Sequence, residues 1–325
     1  MRRLRKTERG IALLATMLGM ALMTVVVMDF TTASTLGFRS AANQANQMRA
    51  EYLGLSGVNV GMALLAQDAR QDAALTEQQP HDGFDKLWAQ PFPPIPVGGG
   101  LAGVSIVDEN RKLDLNLIIG QNGTVNLPFV QILVRLFAVS QIPPEILPAI
   151  INWIGVPGSP FPPAAGADYY LRLTPPYAPR NGPIPTIGDL RMVRGVNDVI
   201  FNELSQFLTV VQTQQAGNQQ LPMVNVNTAP PEVLASLTQD MTDNPNLVKE
   251  IIAARTAKPF LDTASVAELA GSGNSAGDLP GLLTVRSDYF TIAGRGTYAG
   301  ARKIVVAIVH REGLDPLQVI SCYED

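Results

Sequence analysis

The sequence predicts an α+β fold in which a long N-terminal helix packs on a small antiparallel sheet and a large α-helical insertion interrupts that sheet. Three observations predict it. An uncharged apolar run from Ile11 to Met28 passes, without proline, into a stretch reaching Asp68 with apolar positions at Leu53, Val60, Leu64 and Leu65. Strand-like alternation comes early, at 101–116, and late, at 289–296 and 301–311. Between these lie segments of helical spacing punctuated by Pro/Gly loops.

The N-terminus carries the strongest signal. Arg2, Arg3, Arg5, Lys6 and Arg9 precede Gly10, and no charge follows until Asp29. The run 11–28 reaches the lower end of the length that spans a bilayer as a helix, and Ile11, Leu14, Ala15, Leu18, Leu22, Val26 and Met28 mark it. Basic residues before a span stay in the cytoplasm, which sends the rest of the chain across the membrane. Three readings compete. An ordinary signal peptide would be cut near Thr32-Ala33-Ser34, but the apolar run is long for one. A plain uncleaved anchor is the second. The third is a leader cut between Gly10 and Ile11 that leaves the apolar run as the start of the mature chain. The proline-free continuation after Met28 favours the third. Gly54, Gly57 and Gly61 weaken that helix by up to about 1 kcal/mol each, and they allow close packing against a sheet.

Totals narrow the chemistry. The 325 residues carry a formal net charge of −4, and charged residues are only 16%, so neither sign is in excess and nothing in the totals points to nucleic acid. One cysteine, Cys322, forms no internal disulfide; it reads as a partly buried small apolar residue or as a partner in an intermolecular disulfide. His81 and His310 lie far apart and in no metal-ligand spacing. Walker A and H-E-x-x-H patterns are absent from the sequence and no nucleophile–base pair stands out, so no catalytic residue and no metal ligand is assigned and the chain reads as non-enzymatic.

Residues 79–100, containing PFPPIPVGGG, read as a linker, and 101–116 as a hairpin turning at Glu109-Asn110, with Asp108, Glu109 and Asp114 as solvated turn residues. Helices follow at 130–139 and, opened by Pro143-Pro144, up to Trp153. Residues 155–166 are a loop, 186–211 a helix pair with Ile187, Leu190 and Val193 on one face, and 212–220 a polar, mobile spacer. Thr228 is expected to cap a helix over 230–237, 248–255 is a helix, and Thr263 is expected to cap another to Leu269. Strands close the chain at 289–296, 301–311 and 318–322.

Several of these segments resemble one family. Arg9-Gly10-Ile11-Ala12-Leu13-Leu14 resembles a prepilin processing site. Asp168-Tyr169-Tyr170-Leu171-Arg172-Leu173, Asp189-Leu190-Arg191-Met192-Val193-Arg194-Gly195 and Val224-Asn225-Val226-Asn227-Thr228-Ala229-Pro230 follow in order. Each is weak alone; in this order, behind this leader, they resemble the general secretion pathway protein K family, the large minor pseudopilin of type II secretion. The likeness covers almost the whole chain.

That resemblance implies a pilin-like fold with this plan: leader 1–10, transmembrane helix 11–28, periplasmic continuation 29–78, first part of the sheet 101–120, helical insertion 121–280 in two units (about 121–220 and 221–280, SAM-like or helix-hairpin-helix-like), and C-terminal strands 281–325. It implies an inner-membrane, single-pass subunit with a cytoplasmic N-terminus and periplasmic head, which caps a pseudopilus. Its implied partners are the other minor pseudopilins of the tip, the major pseudopilin, the prepilin peptidase, the assembly platform and the bilayer. Most pseudopilins place Glu at the fifth mature position, where its charge is tolerable only beside a neighbour's amine; here that position is Ala15, which suits a tip subunit. The family is known for calcium, but the segment Asn152–Pro160 lacks the aspartates such a site needs, so no cofactor is assigned. Trp153, Tyr169, Tyr170 and Arg172 are of the types favoured at interfaces and are the candidate partner contacts, with core packing the alternative for each. The rival class is a membrane-tethered DNA-binding protein, because 224–271 also resembles helix-hairpin-helix modules. Its hairpin position, Thr238–Asn246, lacks glycine and carries Asp240 and Asp243, which repel phosphate.

Overall fold

The computed structural model describes residues 4–74, 79–120, 122–162, 166–211, 221, 223–271, 279–313 and 316–324, with side chains from Gly10 onward. In chain order the elements are α1 (Leu4–Ala74), β1 (Ile95–Val97), β2 (Gly100–Asp108), β3 (Leu113–Asp114), α2 (Leu127–Val139), α3 (Ile146–Ile154), α4 (Ala167–Leu171), α5 (Asp198–Phe207), β4 (Leu208–Thr209), β5 (Val224–Asn225), α6 (Pro231–Leu237), α7 (Gln239–Asp243), α8 (Pro245–Ala257), α9 (Ala264–Ala270), β6 (Leu283–Thr284), β7 (Tyr289–Tyr298), β8 (Ala301–His310) and β9 (Gln318–Glu324).

The C-terminal third of α1 lies on an antiparallel sheet of order β1-β2-β7-β8-β9. Glycines on both partners set the distance. A Cβ on Gly294 would strike the carbonyl of Gly54, one on Gly296 the carbonyl of Ala50, and one on Gly57 the carbonyl of Gly103. The helix backbone therefore rests directly on the strand backbones, and the helix-weakening glycines are the residues that permit it. Val58 and Leu65 of α1 close over Val104, Phe290, Ile292, Val305, Ala307 and Val309 in one apolar cluster. The contacts also fix direction: Ala50 meets Gly296, Gly54 meets Gly294 and Gly61 meets Ile292, so α1 runs antiparallel to β7.

The insertion leaves the sheet at Asp108 and returns at Tyr289. Asp108 pairs with Phe290 across β2 and β7, and the Glu109 amide donates to the Tyr289 carbonyl at 2.9 Å. Both crossings thus form one neck, at the end of the sheet furthest along α1 from its apolar N-terminal half. Beyond it the helices build a second apolar cluster, separate from the first, with Phe129, Leu133, Leu136, Ile150 and Ile151 at its centre. Asn126 caps α2 by accepting from the Phe129 amide, and Asn197 caps α5 by accepting from Ile200. Two short parallel pairs, β3–β4 and β5–β6, tie the helices together near the neck.

Several local expectations are corrected. The 101–116 hairpin does not form: β2 pairs instead with β7 and with β1, a strand inside the supposed linker, and β3 pairs in parallel with β4. The turn residues Gly98 and Gly99, both at positive φ, make the tight β1–β2 hairpin that alternation alone missed. Residues 187–192 form a 3-10 turn rather than an α-helix. Neither Thr228 nor Thr263 caps its helix; Thr228 bonds to Asp108, and Asp262 accepts from Ser265 ahead of α9. Asp108, Glu109 and Asp114 are buried rather than solvated, because the chain enters the insertion there. Cys322 is exposed, on the edge strand β9. The spacer expected at 212–220 lies outside the described residues.

Candidate functional site

Three features can carry function: the bare apolar half of α1, the polar neck, and the aromatic cluster of the insertion.

From Gly10, α1 is long and apolar enough to cross a membrane, and its most apolar 18-residue window has no buried residue. Ile11, Leu14, Leu18, Leu22, Val26 and Met28 are all exposed, as is Ala15. Threonine hydroxyls in this half bond their own helix: Thr16, Thr24 and Thr31 donate to the carbonyls of Leu13, Met20 and Val27 at 2.7–2.8 Å. A hydroxyl that bonds its own helix costs little in hydrocarbon. Exposure continues past Met28 through Phe30, Leu36 and Phe38, so the helix is bare until it meets the sheet near Ala50.

The neck is where the Asn-rich motif acts. The Asn225 amide nitrogen lies 3.1 Å from Asp108 Oδ2, 2.7 Å from Ser287 Oγ and 3.1 Å from the Asp82 carbonyl. Thr228 Oγ1 donates to Asp108 Oδ2 at 2.5 Å, and the Asn110 amide to Asp108 Oδ1 at 2.8 Å. Asn227 exchanges two 2.9 Å bonds with the Phe260 backbone, holding α6 to the loop after α8. Arg255 donates to the carbonyls of Val226 and Ala229; burial, and then the charge of Arg111, lowers its pKa to about 10. Beside this sits a chain of ions. Arg311 reaches Asp68 at 3.0 Å and Asp82 at 2.5 Å, and Lys86 reaches Asp68 at 3.3 Å and also pairs with Asp72. Burial pushes the Asp68 carboxyl up, against the charge of Lys86. For Lys86 the hydrogen bond to Asp72 and the nearby carboxylates outweigh burial and raise it. The sequence singles out the motif but not its partners Asp82, Asp108 and Ser287, nor Asp68 and Arg311 of the ion chain beside it, which are scattered along the chain.

In the aromatic cluster, Trp153 and Tyr170 stack edge-on at 5.1 Å, and Tyr177 packs against both. Tyr170 is 0% and Trp153 2% exposed, so these two candidate contacts are core residues; their helices bury their apolar faces there. Tyr169 (37% exposed) and Arg172 face outward. Arg194 lies 4.8 Å over the Tyr169 ring. The hairpin position of the DNA-binding alternative is occupied by α7, which carries Asp240 and Asp243.

Comparison with known proteins accounts for this arrangement. Two family models, each described as Type II secretion system (T2SS), protein K, match residues 111–213 and 224–286, together just over half of the chain. The chain belongs to the type II secretion system protein K family. Type II secretion system protein K of Pseudomonas aeruginosa is 25% identical over 315 residues, covering 95% of this chain and 90% of its own length. The Klebsiella pneumoniae protein is 25% identical over 267 residues, 79% of this chain and 78% of its own. Among solved structures, the GspK-GspI-GspJ complex of enterotoxigenic Escherichia coli contains a chain of the same fold, with a TM-score of 0.70 at 19% identity, covering 88% of this chain and 99% of that one. Protein K family members are components of secretion machinery, and the first family match begins at Arg111, just past Asp108 where this chain leaves the sheet.

Proposed function

We propose that this protein is the minor pseudopilin at the tip of a type II secretion pseudopilus, where it helps initiate and cap the filament. The observation that carries this is the relation of the insertion to α1. The bare apolar half of the helix is at one end of the molecule, and the neck that holds the insertion is at the other. Helices of neighbouring subunits pack along α1 below the head, and the bulk of the insertion stands above, where the next subunit would have to add. The gap between Met28 and the first sheet contact at Ala50 is about 30 Å at 1.5 Å per residue, enough to lift the head clear of the bilayer. Ala15 leaves no carboxylate in the span that would need a subunit ahead of it.

On this reading residues 11–28 cross the inner membrane once, the N-terminus is cytoplasmic and the head periplasmic. A prepilin peptidase removes residues 1–10. The partners are other minor pseudopilins, as the name of the related complex suggests, together with the major pseudopilin and the assembly platform. Tyr169 and Arg172 are the candidate contacts that remain at the surface. The test is the intact mass and N-terminal residue of the protein from native membranes with and without the peptidase. A chain starting at Ile11 only when the peptidase is present supports the reading; a chain starting at Met1 or cut near Ser34 sinks it.

A further inference from the structure

α1 covers only one face of the sheet. It lies over β2, β7 and β8, and Val305, Ala307 and Val309 of β8 point into that contact. The register puts the alternate residues on the other face. Gly294 touches α1 and pairs with Val305, so Ala293 and Arg295 turn outward together with their partners Val306 and Ile304. On this outer face β8 presents Ile304, Val306 and Ile308. An antiparallel strand with one face in water alternates apolar and polar residues, whereas β8 is apolar on both faces, as a strand covered on both sides is. None of these three residues belongs to either apolar cluster of the molecule. Leu101 and Val107 of β2 turn the same way and are 44% and 37% exposed.

Side-chain size gives this face a shape. The β8 residues form a wall, Leu101 and Val107 mark the far side, and the floor between them is small: Gly103 and Ser105 of β2, Thr291 and Ala293 of β7. Two strand spacings, about 10 Å, separate β2 from β8, which is the diameter of a helix. Charge marks one end. Arg295 and Arg302, both exposed, flank Ile304 at the end of the sheet near Ala50 of α1. Neither pairs with a carboxylate among the described residues, and no described residue of the five strands sets an acid on this face. We propose that the outer face is a docking site for an amphipathic helix of another protein, laid along the strands with its apolar stripe in the trough and carboxylates at the end that meets Arg295 and Arg302. A sheet buries a face of this kind under a helix, as α1 does on the opposite side. The face points away from α1, so the occupant is not a helix packed along α1, and the inference does not rest on a position at the filament tip.

Photo-crosslinking of the full chain in its own cells tests this, with p-benzoylphenylalanine placed at Ile304 in one variant and at Ile308 in another. Four residues of strand span about 13 Å, which is about nine residues of helix and about four of an extended segment. Both reporters should therefore attach to one protein, at positions about nine residues apart, with an acidic residue within a turn of the attachment made from position 304. Arg295→Glu with Arg302→Glu should lower the yield at least about tenfold, and reversing that acid to Lys in the partner should restore part of it. The proposal is overturned by an absence of adducts, by attachments about four residues apart, by adducts to lipid or to a second copy of this chain, or by a yield indifferent to the charge reversal. Should a reporter on β8 keep the chain from accumulating, Leu101 and Val107 replace the pair. Their separation of about 20 Å sets the expected spacing at about thirteen residues of helix, and about six overturns the proposal.

Discussion

The guanidinium of Arg311 stands 3.0 Å from the carboxylate of Asp68, and this pairing ties the end of β8 to the buried end of α1. Both side chains are 4% exposed, and the same guanidinium holds Asp82. Removing one partner of a buried pair leaves an uncompensated charge, at a cost of about 3–5 kcal/mol. Arg311→Met should lower stability to urea by about that much, and Arg311→Lys by less. A loss below about 1 kcal/mol in R311M would show that the ions contribute little net stability.

The helix–sheet contact has its own test. Gly294→Ala places a methyl on the Gly54 carbonyl, so α1 must lift from the sheet. We expect a loss of about 3 kcal/mol or more, as for overpacking in a tight core. Gly37→Ala, with nothing within 4 Å, is the control and should be neutral or slightly stabilising. Equal effects in thermal melts would refute the close-packing account.

The leader gives a third prediction. Gly10→Val should leave the chain uncut in cells containing the prepilin peptidase, seen as a mass increase by the leader, while the head retains native circular dichroism. Normal trimming of this variant would show that cleavage does not read Gly10.

Cys322 on β9 should react with a maleimide in the folded protein at a rate close to that of a free thiol, because it is exposed. Cys322→Ser should leave stability within about 0.5 kcal/mol. A sluggish thiol would mean that β9 is covered in solution.

Much of this molecule is legible in the residue order because its signals are local. The run Ile11–Met28, the helical spacing at 130–139 and the alternation at 289–296 and 301–311 each report a structure that contacts mainly itself or its neighbour in sequence. The misreadings share a cause. Leu113 belongs with Leu208 and Leu101 with Thr297, and no periodicity shows such long-range pairings. The acids at 108–114 look solvated because sequence gives their polarity and not their place at a crossing of two chains. Trp153 and Tyr170 are of the types that suit interfaces and cores alike, and only packing separates the two uses. The Asn225–Thr228 motif is visible in the sequence, but its role depends on Asp82 and Ser287, which are far from it along the chain.

The antiparallel seating of α1 on β7 also has a mechanical meaning. A push or pull along α1, as when a filament extends from the membrane, reaches the sheet as shear spread over the contacts of Ala50, Gly54, Gly57 and Gly61. That force need never enter the insertion, which hangs from the far ends of β2 and β7. The insertion is off the load path. It can be reshaped, enlarged or tilted without weakening the part of the molecule that bears tension.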